Sequence, residues 1–188
     1  MTGVQTCALP ILVDSPEVNA WCMPGGKIVV YTGILPITQS ETGLAVVMGH
    51  EVAHALADHG AQRMSAATLQ QIGAIAGSVA LQTSKYAAYT DQFMLAYGLG
   101  SNLGVMLPFS RSNETEADAI GIQIMAIAGY DPAEAPELWK RMSAKSNGKS
   151  TPTILSTHPS DASRIKNLTA LVPRARAEAA KFGVTHFQ

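Results

Sequence analysis

Cysteine, aromatic residues and charge are all scarce in this chain of 188 residues. Its two cysteines, Cys7 and Cys22, are too few for a disulfide framework or a thiolate metal site. Aromatics make up 6% and charged residues 14%, against 47% hydrophobic. That balance excludes a disordered chain and suits helices packed through Ala, Gly and Met. Thirteen Lys+Arg face fourteen Asp+Glu without a basic cluster, so nucleic acid is not an expected partner. Stability has to come from packing, with a bound metal as a further source. The length suits one domain with a real core.

The start of the chain is anomalous. Met1–Ile11, MTGVQTCALPI, reads as the in-frame translation of a common sequencing adapter. It has neither the basic n-region nor the sustained apolar run of a leader. The expectation is that residues 1–11 are not native, that residues 12–188 are an N-terminally truncated domain, and that a signal segment has been lost.

From Val18 to Leu35 two β-prone stretches, the second Ile28–Tyr31, flank a Pro24-Gly25-Gly26 turn and predict a hairpin. Thr38 followed by Glu41 has the spacing of a capping box, after which Leu44, Val47, Met48, Glu51 and Ala55 keep helical spacing, with Gly60 as the expected stop. Met64–Ser84 and Gln92–Ser110 contain no charge. The first is long enough to raise a membrane span, yet Gln70, Gln71, Gln82 and several hydroxyls make it only weakly apolar. Gly73 and Gly77 allow close helix packing. A buried helix of a soluble protein is the expectation, and a membrane-touching surface the alternative. Further helices are predicted from Arg111 through Ile127, over Pro136–Ser146 and over Asp161–Leu171, with a break at Gly129–Pro132 and a polar loop at Asn147–Thr153. The fold class is mostly α (α+β): a single helical domain with a small N-terminal sheet.

His50-Glu51-Val52-Ala53-His54 is the informative motif. On a helix, residues four apart lie one turn apart on one face, so two imidazoles reach one ion with a carboxylate beside them. HExxH thus supplies two nitrogen ligands for Zn²⁺ and, in Glu51, a base to take a proton from water. With five His and eight Glu in the chain, chance would produce it in roughly 0.6% of cases. A catalytic zinc needs a third protein ligand. His59 is a poor one, since it falls about 180° round the helix from His50, and reads as a surface or capping histidine. Glu114 is better. Glu114 and Asp118 are i,i+4 and share a helix face, whereas Glu116 points away, so Glu114 can ligate and Asp118 can bond a ligand imidazole.

Four stretches, PGGKIVVYTGIL, GHEVAHALADHG, SRSNETEADAIG and STHPSDASRI, span about residues 16–170. Together they resemble the zinc metallopeptidases that include the CaaX prenyl protease, HtpX, BepA and LoiP. The resemblance implies a zincin-like, gluzincin-type endopeptidase with one Zn²⁺ per chain, His50, His54 and Glu114 as ligands, and Glu51 as catalytic base. It implies that Asp118 supports the ligands. It also implies that His158 lies near the metal, stabilising the oxyanion or occupying the open metal position in a resting state. Arg164 either positions the His158 loop or is an exposed helix charge, and Arg111 is structural. Trp21 reads as hairpin packing, and strand Ile28–Tyr31 or the edge Asn19–Met23 as a site for β-augmentation by substrate.

The CaaX protease and HtpX have clear membrane spans and this sequence has none that convinces, which places it nearer the soluble envelope members. The implied partners are extended polypeptides, unfolded or misassembled, with peripheral membrane or outer-membrane assembly contact. The implied location is the periplasm. Competing readings are a latent or non-catalytic zinc-bound assembly factor, which would have no use for Glu51, and a membrane-embedded prenyl-protein protease.

Overall fold

A computed structural model describes residues 10–23, 27–146, 153–158 and 162–188. The chain divides into two compact units: Asp58–Asn113, and the residues before and after it. No Pro/Gly-rich linker marks this division in the sequence.

The first unit carries the sheet. Strands β2 (Ala20–Met23) and β3 (Lys27–Tyr31) pair antiparallel, with Trp21 opposite Val29 and Cys22 opposite Ile28. This is the predicted hairpin, whose turn residues 24–26 lie outside the described set. A third strand, β1 (Pro10–Val13), pairs parallel with β3, giving the order β1-β3-β2. Its first two residues fall within the adapter-like stretch. β3 is therefore central, not an edge, and the burial of consecutive Ile28, Val29 and Val30 shows that both of its faces are covered. Trp21 stacks edge-on against Tyr31, ring centroids 4.9 Å apart.

A 3₁₀ turn at Thr32–Ile34 leads into the short helix α1 (Leu35–Thr38), started by Pro36. Thr38 closes α1, its hydroxyl donating to Leu35 O, and is not the cap of the next helix. Gln39 then turns with φ 62°, and Ser40 caps α2 (Glu41–Leu56) by accepting from the Gly43 amide. The capping residue is thus two positions later than the Thr38–Glu41 spacing suggested. The helix also stops before Gly60, at left-handed Asp58 (φ 53°).

Helix α5 (Leu107–Ile127) returns to the first unit at Glu114 and ends at Gly129 (φ 93°). Next come α6 (Glu134–Ser146), α7 (Ile154–Thr157) and α8 (Ala162–Lys181). Residues 147–152 of the expected polar loop lie outside the described set. Helix α8 runs ten residues past the expected Leu171, straight through Pro173. The apolar core joins Ile28 and Val30 of the sheet to Val46, Ile122, Met125, Leu138, Met142 and Leu168 of the helices.

The second unit holds α3 (His59–Gln82), a 3₁₀ turn (Ala87–Tyr89), α4 (Thr90–Ser101) and a π-helical stretch (Asn102–Met106) leading into α5. Helices α3 and α4 pack on each other: the Tyr97 hydroxyl donates to Gln70 O at 3.1 Å, and Gln70 Nε2 to Ser101 Oγ at 2.6 Å. The expectation of a buried helix fails here. The most apolar window of α3 contains no buried residue.

Candidate metal centre

Two glycines set the site. A Cβ on Gly121 of α5 would lie 2.9 Å from Gly49 C and from His50 N, and one on Gly49 of α2 would lie 2.8 Å from Gly121 O. The two helix backbones therefore touch, which only glycine permits. That crossing brings the HExxH face of α2 against the Glu114/Asp118 face of α5.

At the crossing, His50 Nε2 is 3.1 Å from His54 Nε2 and 3.2 Å from Glu114 Oε2, while His54 Nε2 is 3.3 Å from Glu114 Oε1. His158, which follows α7, brings Nδ1 to 2.9 Å from Glu114 Oε2 and 3.2 Å from His50 Nε2. These four side chains form a donor cluster that could hold an ion. Tetrahedral zinc with bonds of about 2.0–2.1 Å separates its ligand atoms by about 3.3 Å, so the spacing fits. Imidazole nitrogens facing each other at such distances need a proton or a cation between them. The donor set, nitrogen and carboxylate oxygen without thiolate, is one zinc accepts.

Glu51 lies beside the cluster. Its Oε2 accepts the Cys22 amide of β2 at 2.9 Å. Its Oε1 is buried and, among the described residues, accepts no hydrogen bond, with His158 Nε2 at 3.6 Å. Burial pushes the Glu51 carboxyl up to about 7, against the pull of His50 and the Cys22 amide. A cation held by the neighbouring side chains would oppose that rise.

The supports lie behind the ligands. Asp118 Oδ1 sits 3.0 Å from His50 Nδ1, turning Nε2 toward the cluster. Arg164 grips Asp118 with two bonds of 2.7 Å and lies 3.3 Å from Glu114 Oε2. It is buried, not an exposed helix charge, and its guanidinium carbon lies 3.5 Å from the ring centre of Trp139. Burial works against the charge on Asp118, but His50 and Arg164 outweigh it and hold the carboxyl below its usual range. Glu114 is likewise held low: burial opposes, and hydrogen bonds from His158, His50 and His54 prevail. With the protein groups alone, burial opposes a charged His50 while Asp118 and Glu114 raise it to about 9. Burial and the charge of His50 lower His158 to about 4.

The structure thus gathers His50, Glu51, His54, Glu114, Asp118, His158 and Arg164. His59 opens α3 and is buried, contrary to a surface position, and it is not part of the donor cluster. Glu116 and Arg111 are exposed on α5. Sequence reasoning missed three contributors: Gly49/Gly121, the Cys22 amide, and Trp139, whose ring also meets His50 edge-on at 5.8 Å. A glycine beside HExxH was a legible signal for close approach. Neither the amide nor the Trp139 contact leaves a mark in spacing.

Comparison with known proteins agrees with this arrangement. The chain is 37% identical to the mitochondrial metalloendopeptidase OMA1 of Schizosaccharomyces pombe, over 89% of this chain and 47% of that one. It is 38% identical to the Arabidopsis thaliana protein of the same name, over 94% and 36%. With the β-barrel assembly-enhancing protease of Escherichia coli K12 it shares 33% identity, over 82% and 32%. The chain spans half or less of the length of these relatives. Residues 5–172 match Peptidase family M48, and the chain belongs to that family.

Proposed function

We propose that this chain is a zinc-dependent metalloendopeptidase, with His50, His54 and Glu114 holding one Zn²⁺ and Glu51 as the general base. The observation that carries the reading is the buried Glu51 Oε1, without a hydrogen-bond donor among the described residues, beside four converging donor atoms. A structural zinc site has no use for such a group. Zinc supplies Lewis acidity, lowering the pKa of water and polarising a carbonyl. The rest falls to the chain. The Cys22 amide fixes Glu51 Oε2 and so aims Oε1 to take a proton from water and deliver it to the departing amine. Asp118 keeps the His50 ring in its ligating orientation, and Arg164 keeps Asp118 ionised. His158, buried beside the cluster, stabilises the developing oxyanion in the tautomer that carries its proton on Nε2.

A second reading rests on a specific distance. His158 Nδ1, 2.9 Å from Glu114 Oε2, is also placed to be a fourth ligand. With four protein ligands the site is closed, and the enzyme is latent until His158 swings away. Substrate lies extended along β2, since β3 is flanked on both sides and offers no free edge. Such binding favours unfolded or misassembled polypeptides. For location we propose the cell envelope, on its periplasmic side; the similar proteins include some named as mitochondrial and one from Escherichia coli named for β-barrel assembly.

The test is casein cleavage by the zinc-loaded chain beside Glu51→Gln. Cleavage by the parent alone supports the reading. Equal cleavage by both overturns the role of Glu51. No cleavage by either, with one metal bound per chain, favours the latent form or a non-catalytic assembly factor, and a gain on His158→Ala singles out latency.

A further inference from the structure

The Asp58–Asn113 unit is built inside out. Three polar side chains lie between its helices: Tyr97 donates to the Gln70 backbone carbonyl, and Gln70 Nε2 donates to Ser101 Oγ. Gly73 and Gly77 lie against the Tyr97 and Phe93 rings, close enough that a Cβ on either would sit 2.2 Å from a ring atom or hydroxyl. Leu69, Ile72, Ile75 and Val79 of α3, and Leu95 and Leu99 of α4, are each more than half exposed. In water a two-helix unit turns these faces inward and its glutamine and serine outward.

Length and ends follow the same logic. The uncharged stretch Met64–Ser84 is about 30 Å long as helix, the thickness of a bilayer's hydrocarbon core, and α3 is long and apolar enough to cross one. The uncharged stretch Gln92–Ser110 runs from α4 through the π-helical segment into the start of α5. Charge resumes only beyond them, at Arg63 and Arg111, at Asp91 in the first turn of α4 and at Lys85 in the connecting turn. That turn also carries the exposed rings of Tyr86 and Tyr89, the residue type that settles at membrane interfaces. Small residues and interhelical hydrogen bonds at the α3–α4 contact are what holds helices together where lipid removes the hydrophobic drive.

We infer that α3 and α4 form a hairpin that inserts into the hydrocarbon of a lipid bilayer, its apolar outer faces covered by acyl chains. A polypeptide client or a second copy would need one complementary face, whereas both helices are apolar on the sides turned away from each other. The inference stands independently of the proteolytic reading, since it uses no residue of the metal centre.

Flotation of the full chain with phosphatidylcholine/phosphatidylglycerol vesicles at high salt tests it, followed by alkaline carbonate extraction. The parent should float and resist extraction. Ile75→Lys/Leu99→Lys should float at least about tenfold less, because a lysine at bilayer depth is strongly disfavoured. Ile75→Val/Leu99→Ala should float like the parent. Metal bound per chain, read on every variant, shows that the first unit is folded. A parent that remains at the bottom of the gradient overturns the inference, whether it is monomeric or a lipid-independent dimer. So does equal flotation by the lysine variant.

Discussion

The two units of this chain solve opposite solvation problems. The first buries Glu51, Glu114, Asp118 and Arg164 under an apolar core, and the second exposes leucines and isoleucines around glutamine and serine. In the first, each charge is held by a partner or a ligand neighbour, which is what makes ionised groups tolerable in low dielectric. In the second, 21 consecutive residues carry no charge at all. Apolar content alone does not tell which side of a helix faces the protein. The surrounding solvent decides, and reading α3 as a buried helix assumed that solvent was water.

The largest effect that separates the units is chemical. Glu51→Gln should lower casein cleavage by about 10²–10⁴-fold with the metal retained, the usual loss for a general base. Ile75→Lys, assayed in detergent solution, should leave cleavage within about twofold of the parent. If Ile75→Lys abolished cleavage in detergent as thoroughly as Glu51→Gln, the chemistry would not be confined to the first unit.

Next in size is the support behind the ligands. Asp118→Asn removes the carboxylate beside His50 Nδ1 and leaves Arg164 buried without its main counter-charge. Zinc affinity, measured by competition with a chelator, should fall by about 10–100-fold. An unchanged affinity would mean that helix packing alone orients His50.

How much of this was legible follows from which forces act locally. HExxH and the Glu114/Asp118 pair were readable because helical periodicity is a local rule, and the structure puts those side chains on the faces that the spacing gives. Strand β1 was not, since four residues pairing in parallel with a strand 18 positions later leave no hairpin signature. The cap moved from Thr38 to Ser40 because Pro36 starts a separate turn of helix that absorbs Thr38. Arg164 was ambiguous because its burial depends on α8 packing over Trp139, a contact between helices 25 residues apart. His158 was visible only through resemblance, since a histidine before proline has no spacing that points to a metal.

Glycines sharpen the contrast at the level of packing. Gly121→Ala places a methyl 2.9 Å from backbone atoms of Gly49 and His50, so α2 and α5 must part. Urea unfolding should show a loss of about 1–3 kcal/mol, typical of overpacking, with weaker zinc binding alongside. Gly98→Ala, inside α4 of the second unit, meets nothing within 4 Å. There the gain in helix propensity should stabilise α4 by about 0.5–1 kcal/mol. The opposite signs test whether backbone contact is specific to the crossing at the metal centre.

The smallest effect sets an exposed ion pair against the buried one. Asp131 accepts Arg176 at 2.8 Å and the Ala133 amide at 3.0 Å, while its own amide donates to Gln188 O and pins the C-terminus. Slight burial opposes the charge on Asp131, but Arg176 and the amide outweigh it, so its folded pKa lies below the ordinary 3.8. A lowered carboxylate pKa contributes stability that is fully present above the unfolded value and is lost as pH falls through the folded one. Asp131→Asn should therefore cost about 1 kcal/mol or less at neutral pH, the pair being solvent-exposed. The gap from the parent should hold down to about pH 4, close below it as the parent loses the same charge, and narrow at high salt. Arg164 and Asp118, out of reach of water and ions, should show no such salt dependence. Equal salt sensitivity in Asp118→Asn would mean that the metal centre is more open to solvent than its burial implies.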